Sequence, residues 1–202
     1  KAPTHDPAKI PGISSKEQPM SLTSSVFIAV SLDGFIARPG GELDWLDAAN
    51  TTVPEGEDRG YNAFMGSIDV LIMGRLTYEQ VLSFGNWPYG NKPVVVLSTN
   101  LIEIPEDLTE TVSCSSESPN KLCERLSIEG AKRLYIDGGI TIQRFLAAGL
   151  INDLTITVIP TILGSGRSLF GNAEKDIHLR HIATKTYEFG FVQLTYEVEN
   201  HA

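Results

Sequence analysis

The sequence is poor in the residues that hold metal ions and has no long hydrophobic run. Its 202 residues include four histidines and two cysteines, Cys114 and Cys123. The cysteines do not form a C-x-x-C pair and the histidines do not cluster, so no metal site is expected. Both cysteines are interpreted as reduced thiols of a reducing compartment, with a disulfide between them as the alternative. No apolar stretch approaches the roughly 20 residues that a membrane-spanning helix needs.

Positive charge is scarce as well. Lys and Arg total 16 against 25 Asp and Glu, which gives a formal net charge of -9 at pH 7. A surface of that sign repels nucleic-acid phosphates, so a nucleic-acid partner is not expected. The first residues also lack the charged and apolar regions of a secretory signal. We therefore expect a cytoplasmic protein with no membrane partner.

The composition separates a short polar segment from a globular part. Residues 1–20 contain four prolines and show no periodicity, so a flexible N-terminal extension is predicted there, with Met20 as a candidate native start. The periodic segments follow, and a hydrophobic content of 42% suits one well-packed α/β domain. We expect residues 21–202 to form that single domain.

The most informative segment runs from Asp69 to Tyr78. An apolar strand breaks at Gly74, and Arg75 opens the helix that follows. A helix start offers unpaired backbone N–H groups and the positive end of the helix dipole, and arginine adds a planar charged donor. The combination predicts an anion site, although glycine before a helix also occurs as a plain turn.

Two further predicted strands end in groups that suit the same ligand. They are followed by Ser98 and Thr99 in one case, and by Asp137, Gly138 and Gly139 in the other. In open α/β sheets, ligands bind beyond the carboxyl ends of the strands. The three strand ends are therefore predicted to form one site.

The order of the elements predicts the class of fold. Strands alternate with helices as far as the helix after Gly139, and only strands follow. An α/β fold results, with a mixed, mostly parallel sheet and an antiparallel C-terminal edge. Predicted helices include 44–50, 58–67, 77–84 and 118–129, and the last three predicted strands are 153–159, 178–187 and 191–198.

Six segments follow one another in the order of a known family. The chain resembles the dihydrofolate-reductase-like superfamily, most closely the branch typified by the reductase domain of bacterial riboflavin biosynthesis, which is the C-terminal domain of a bifunctional deaminase-reductase. The resemblance covers roughly residues 24–198. The segments are 29–37 (AVSLDGFIA), 44–46 (DWL), 73–78 (MGRLTY), 96–98 (VLS), 137–141 (DGGIT) and 159–170 (IPTILGSGRSLF).

This resemblance implies a three-layer α/β/α fold that binds NADPH. It further implies hydride transfer to a carbonyl or imine of a small heterocyclic substrate, either pteridine-like or ribosylaminopyrimidine-like. An activity similar to 5-amino-6-(5-phosphoribosylamino)uracil reductase is expected. A homodimer is expected too, with Phe189, Phe191 and Tyr196 as candidate interface or core residues.

The resemblance also assigns cofactor contacts. Arg75 matches the residue that lies against the adenosine 2′-phosphate, and the diglycine lets the backbone approach the pyrophosphate. Trp45 resembles an aromatic residue of a mobile loop that closes over the nicotinamide, with packing in the core as the alternative. The remaining assigned contacts are Ala29 beside the carboxamide, Gly74, Thr77, Ser98 and Thr99 near the phosphates or ribose, Ile140 and Thr141 at the helix start, and Gly164 with Gly166 near the mouth of the site.

Two carboxylates are candidates for proton delivery. Asp58 falls where dihydrofolate reductase has the carboxylate that binds the pterin, although it also suits a helix cap or a solvated charge. Asp137 occupies the position of an acid that contacts substrate in the riboflavin-type reductases, and it also suits a cap of the next helix. Asp33 fits a turn.

Departures from the family pattern leave other functions open. No deaminase zinc motif is present, and the tyrosine that usually follows the diglycine of folate reductases is absent. Dihydrofolate or dihydropterin reduction is the alternative activity. A non-catalytic NADP-binding module is the alternative from another class of protein.

Overall fold

The structure is a computed structural model that describes residues 22–171 and 175–199. The predicted extension over residues 1–20 lies outside the described residues. A sheet of eight strands in the order β5-β4-β3-β6-β1-β7-β10-β9 dominates the fold, and β2 and β8 form a separate pair. The strands are β1 (Thr23–Ser31), β2 (Phe35–Ala37), β3 (Val70–Gly74), β4 (Val94–Leu97), β5 (Val112–Ser115), β6 (Arg133–Asp137), β7 (Asp153–Ile159), β8 (Arg167–Ser168), β9 (Leu179–Thr186) and β10 (Val192–Val198).

The sheet is parallel from β5 to β7 and antiparallel from β7 to β9. This confirms the predicted mixed sheet with an antiparallel C-terminal edge. The central strands β3 and β4 are buried on both faces, which explains their continuous apolar runs.

Helices cover both faces of the sheet and complete the three layers. They are α1 (Asp44–Asn50), α2 (Tyr61–Gly66), α3 (Arg75–Leu82), α4 (Pro119–Ile128) and α5 (Gly139–Ala147). Side chains of α4 and α5 pack into one core with Val26, Ile72 and Ile136 of the sheet. Side chains of α2 and α3 pack into a second core on the other face, around Tyr135. Each large apolar side chain buried in these cores contributes about 1.5–3 kcal/mol.

Two helices begin at least two residues away from the start predicted from the sequence. The helix predicted over 58–67 begins only at Tyr61, because Gly60 adopts a left-handed φ of 84° and the Asp58 carboxylate accepts hydrogen bonds at the helix start. The helix predicted over 77–84 begins two residues earlier, at Arg75. Strand β3 therefore passes into α3 without a connecting loop.

Strands β1 and β6 pair only at their beginnings. Their register runs from Thr23 opposite Arg133 to Ser25 opposite Tyr135, whereas β1 continues beside β7 as far as Ser31 opposite Ile159. Strands β3 to β6 lie on one side of β1, and β7 and the strands after it lie on the other. The strand order therefore reverses at β1. Such a switch point is where open α/β sheets form ligand clefts.

Candidate active site

A cleft of about 870 Å³ opens at the carboxyl ends of the parallel strands. Its wall includes the region where β1 and β6 separate and the starts of α3 and α5. Residues from several distant segments of the sequence therefore meet in one place. The predicted site residues that line it are Ala29, Gly74, Arg75, Thr77, Ser98, Thr99, Asp137, Gly138, Gly139, Ile140 and Thr141.

The two strand-to-helix junctions pack directly against each other. A Cβ atom on Gly138 would overlap the Thr77 hydroxyl, and one on Gly74 would lie 2.9 Å from Thr141 Oγ1. Gly138 also has a φ of 86°, in the left-handed region that favours glycine. Because Gly74 and Gly138 have no side chains, neither residue covers the backbone of its own junction.

The start of α5 is held in place by the small β2–β8 sheet. A Cβ atom on Gly139 would lie 2.9 Å from Ile36 Cδ1 and 3.2 Å from the Ser168 carbonyl oxygen. Gln143 Nε2 donates hydrogen bonds to the carbonyls of Ser168 at 3.0 Å and Leu169 at 3.2 Å. The first backbone N–H groups of a helix have no partner within the helix, so this fixed helix start is suited to bind an anion.

The other end of the cleft contains paired charges and hydroxyl groups. Arg75 Nη1 lies 2.6 Å from Glu79 Oε1, and the Arg75 side chain is 38% exposed. Ser98 Oγ donates to the Asn100 carbonyl and accepts from the Asn100 N–H. Glu117 also lines this end and is neutralised by Arg125 at 2.9 Å. Arg75 is thus a partly exposed cation on the cleft wall, paired with Glu79 through one of its Nη atoms.

Asp137 has the most perturbed carboxyl group in the cleft. Burial raises its pKa from 3.8 to about 6, against the opposing effect of a hydrogen bond that its Oδ1 accepts from the Gly138 N–H at 2.8 Å. Asp137 lies opposite Met73 in the sheet and, by strand alternation, shares a face with Tyr135. A half-buried carboxyl group with a pKa near neutrality is a candidate for proton transfer.

The charge of this carboxyl group acts on three tyrosine side chains. Burial raises the pKa of Tyr61 to about 12, and the charge of Asp137 adds to that effect. The same two causes, in the same order, raise the pKa values of Tyr89 and Tyr135. The Tyr135 hydroxyl donates to the Phe27 carbonyl at 2.8 Å and so bridges the separating strands β6 and β1. These phenols remain protonated donors at neutral pH.

Four predicted site residues, Trp45, Asp58, Gly164 and Gly166, do not line the cleft. Trp45 is 4% exposed and packs with Ile159, Tyr187 and Phe191, whereas Leu46 of α1 and Leu43 just before it line the cleft. Asp58 accepts hydrogen bonds from the N–H groups of Gly60 at 2.9 Å and Asn62 at 3.0 Å, which lower its pKa. Its carboxylate therefore stabilises the start of α2.

Gly164 belongs to a structural clamp. The Asp33 carboxylate accepts hydrogen bonds from the Leu163 N–H at 3.1 Å, the Gly164 N–H at 2.7 Å and the Ser31 hydroxyl at 2.7 Å. These bonds tie the turn after β1 to the loop after β7, and the Ser31 bond is the first cause of the lowered Asp33 pKa. Asp33 is therefore a turn residue, as expected from the sequence.

The sequence reasoning missed several residues of the cleft wall. Phe27 and Tyr135 lie on alternating positions of strands, a pattern typical of ordinary core residues. Tyr89 follows α3 in a loop without a recognisable motif. A signal was available for Tyr135, because it precedes Asp137 by two residues and so shares its face. The other missed residues include Leu43, Leu46, Phe84, Glu117, Arg144 and Arg167.

Within residues 22–171 and 175–199, no cluster of three or more His, Cys, Asp or Glu side chains could hold a metal ion. Both cysteines are free thiols, Cys114 exposed and Cys123 buried. Over the same residues, none of the helices has the length and apolar character needed to cross a membrane.

Comparisons with known proteins agree with this architecture. Residues 24–192 match the model of the RibD C-terminal domain. The Bacillus subtilis (strain 168) protein YwjB, itself uncharacterised, is 38% identical over 181 residues, which cover 88% of this chain and 98% of YwjB. A crystal structure from Shewanella sp. PV-4, provisionally named a riboflavin biosynthesis protein, is 39% identical with a TM-score of 0.83, covering 89% of this chain and all of the other.

A more distant structure shows the fold. Dihydrofolate reductase from Enterococcus faecalis, solved as a complex with NADP(H), is 18% identical with a TM-score of 0.58, and the match covers 88% of this chain and 97% of that one. Together with the match to residues 24–192, these likenesses show that the chain belongs to the RibD C-terminal domain family and has the dihydrofolate-reductase-like fold.

Proposed function

We propose that this protein is an NADPH-dependent reductase of a small heterocyclic substrate, similar to 5-amino-6-(5-phosphoribosylamino)uracil reductase. The observation that carries the proposal is the position of Asp137. Its carboxyl group, with a pKa of about 6, lies where β1 and β6 separate and directly precedes the diglycine at the start of α5. One short segment thus combines a proton donor with an anion site.

The described residues fit the parts of NADPH. The start of α5 at Gly138 and Gly139 suits the pyrophosphate, since it offers helix N–H groups and the diglycine carries no side chain. Arg75 suits a 2′-phosphate, because a guanidinium binds phosphate oxygens in a bidentate manner. Leu76, Phe84 and Ile140 line the cleft with 48–61% of their surfaces exposed, and they offer apolar contacts for flat rings.

When bound, NADPH supplies a hydride to a carbonyl or imine carbon of the substrate. The oxygen or nitrogen of that group then gains an electron pair and needs a proton. Asp137 in its protonated form donates that proton and is reprotonated from solvent. The pKa of about 6 keeps a fraction of the carboxyl groups protonated near neutral pH, which an ordinary aspartate does not.

Dihydrofolate reduction is the second candidate, favoured by the aromatic side chains of Phe27, Tyr89 and Tyr135 in the cleft wall. Against it, Asp58, the counterpart expected for the folate-binding carboxylate, is engaged with the start of α2. A non-catalytic NADP-binding module would not need a carboxyl group with the raised pKa of Asp137.

Consumption of NADPH with a panel of pteridines and ribosylaminopyrimidines tests the proposal. We expect turnover by the native protein and a loss of about 10²–10⁴ in kcat for Asp137→Asn. Asp107→Asn, an exposed aspartate before β5, is the matched control and should retain activity. Tight NADPH binding without hydride loss to any substrate would favour the binding module.

We also propose a homodimer, formed through the antiparallel end of the sheet. Edge strand β9 is exposed along its whole length. Phe191 is 1% exposed and is therefore a core residue, and Phe189 is partly buried against it.

A further inference from the structure

The half of the cleft around Asp137 is aromatic. Phe27, Tyr89 and Tyr135 line it on the face of the sheet that α2 and α3 cover. Phe27 packs on Phe64 at a ring-centroid distance of 4.9 Å, and Phe64 packs edge-on against Tyr135 at 5.0 Å. Tyr89 packs edge-on against Trp87 at 5.1 Å. Because each ring is held by a second ring, this wall is preformed.

The polar groups in this wall are the hydroxyls of Tyr135 and Tyr89 and the carboxyl group of Asp137. The Tyr135 hydroxyl is engaged with the Phe27 carbonyl at 2.8 Å. The Tyr89 hydroxyl, in contrast, has no hydrogen-bond partner among the described residues. With the free oxygen of the Asp137 carboxyl group, it forms a pair of polar groups on an apolar surface. Such a surface suits a flat ring that has nitrogen and oxygen atoms along its edge.

The cations that line the cleft lie on other elements than this wall. Among the described residues that line the cleft, they are Arg75, Arg144 and Arg167. Arg75 is on the first turn of α3, where the 2′-phosphate is predicted, and Arg144 is in the last turn of α5, which packs on the face of the sheet opposite the aromatic wall. Arg167 is on the small β2–β8 sheet, where its Nη2 donates to the Gly40 carbonyl at 3.0 Å and its guanidinium covers Gly41.

A phosphate group on the substrate would therefore meet an unfavourable environment. A phosphate dianion needs cations or helix starts to replace its water. The helix starts of α3 and α5 are assigned to the cofactor, and that of α4, at Pro119, lies beside Glu117 at the other end of the cleft. Near the aromatic wall, the ionised Asp137 carboxylate would repel a second anion.

On this geometry we propose that the substrate is an uncharged, flat nitrogen heterocycle without a sugar phosphate, bound against Phe27, Tyr89 and Tyr135 with its polar edge on Asp137. This inference rests on the proposed reductase function and narrows it. It separates the protein from a reductase of phosphoribosylaminopyrimidines.

A matched pair of ligands tests the inference. Binding to the NADPH-loaded protein is measured by quenching of intrinsic fluorescence for 5-amino-6-(5-phosphoribosylamino)uracil, for the same compound without its phosphate, and for pterin. We expect the phosphate to bring no gain in affinity and pterin to bind. Tyr89→Phe should weaken pterin binding by about tenfold, the effect of one hydrogen bond of ordinary strength. Tyr196→Phe, on β10 outside the cleft, is the control.

Three results would overturn the inference. The first is a gain of about tenfold or more from the phosphate, above all if Arg167→Ala removes that gain. The second is an unchanged pterin affinity in Tyr89→Phe, and the third is binding of none of the three ligands to a protein that binds NADPH. Failure of NADPH itself to bind would instead overturn the reductase function, so the two failures are distinguishable.

Discussion

Asp137 brings stability and function into conflict at the scale of a single residue. Its burial raises the carboxyl pKa from 3.8 to about 6, so at neutral pH the folded protein holds a largely ionised group in surroundings that disfavour the charge. A residue selected for stability alone would be neutral there. Perturbed carboxyl groups of this kind are typical of catalytic sites.

The first prediction concerns the pH dependence of stability. Between about pH 4 and pH 6 the folded state binds more protons at Asp137 than the unfolded state does, so its contribution to the free energy of unfolding falls as pH rises through this window. Asp137→Asn cannot titrate. We expect the variant to be more stable than the native protein at pH 7, by about 1–3 kcal/mol. Urea unfolding at pH 4 and pH 7 measures this.

If Asp137→Asn were more stable than the native protein by the same amount at pH 4 and pH 7, this reasoning would be contradicted. The gain in the free energy of unfolding would then come from packing. Asp107→Asn serves as the control here too, because Asp107 is exposed and should show no comparable pH-dependent gain.

The second prediction assigns Asp58 to stability. Its carboxylate accepts hydrogen bonds from the backbone N–H groups of Gly60 and Asn62 at the start of α2. Asp58→Ala removes both and should lower the free energy of unfolding by about 1 kcal/mol, as loss of a helix cap does. NADPH affinity and kcat should not change. A large fall in kcat with unaltered stability would instead support the catalytic role suggested by sequence position.

At the scale of elements, the site depends on two strand-to-helix junctions that interlock. Gly138 faces the Thr77 hydroxyl, and Gly74 faces Thr141. Neither junction can accept a side chain without moving the other. The starts of α3 and α5 are thereby fixed relative to each other, and two predicted anion sites with them.

The third prediction tests this interlock. Gly138→Ala places a Cβ against the Thr77 hydroxyl and forces an L-residue to a φ of 86°. We expect NADPH affinity to fall by about tenfold or more while the protein still unfolds cooperatively, because the strain of about 1–3 kcal/mol acts at the site. Gly66→Ala is the matched control, since a Cβ there meets nothing within 4 Å. Native affinity in Gly138→Ala would mean that the junctions are not rigid.

The elements were largely predictable because their signals are local. A run of β-branched residues, a glycine and a polar strand end identify β3, β4 and β6 without knowledge of the fold. The start of α2 was placed wrongly, since the carboxylate cap of Asp58 and the left-handed Gly60 act together only in three dimensions. Eleven of the fifteen site residues predicted from the sequence also line the cleft.

The failures at the site have a different cause. Trp45 and Leu46 are neighbours in α1, and only packing decides which side chain turns toward the cleft. Tyr89 reaches the wall from a loop, so no periodicity marks it. The aromatic surface around Asp137 is thus a property of tertiary packing, and it could not be read from a motif.

At the scale of the whole molecule, the two ends of the sheet differ. The parallel end carries helices on both faces, whereas β9 is an uncovered edge strand with Leu179 and Ile182 about two-fifths exposed, at 38% and 42%. An exposed edge strand is a template for pairing with a second chain.

The fourth prediction is that a second copy of this chain covers that edge. The native protein should sediment as a dimer, and Ile182→Lys should shift it toward a monomer, because a buried lysine in the interface would lose its hydration. Lys121→Ala on α4, far from that edge in the sheet order, is a control for a changed surface charge. A monomeric native protein at all concentrations would contradict the proposal.

The central claim is that the cleft is an NADPH site, and it is tested most directly by titrating the protein with NADPH and with NADH. We predict a preference for NADPH of about tenfold or more, lost in Arg75→Ala and retained in Arg180→Ala, an exposed arginine of β9 that also pairs with a single glutamate. Equal affinity for the two nucleotides would contradict the role of Arg75. Binding of neither would contradict the reductase function as a whole.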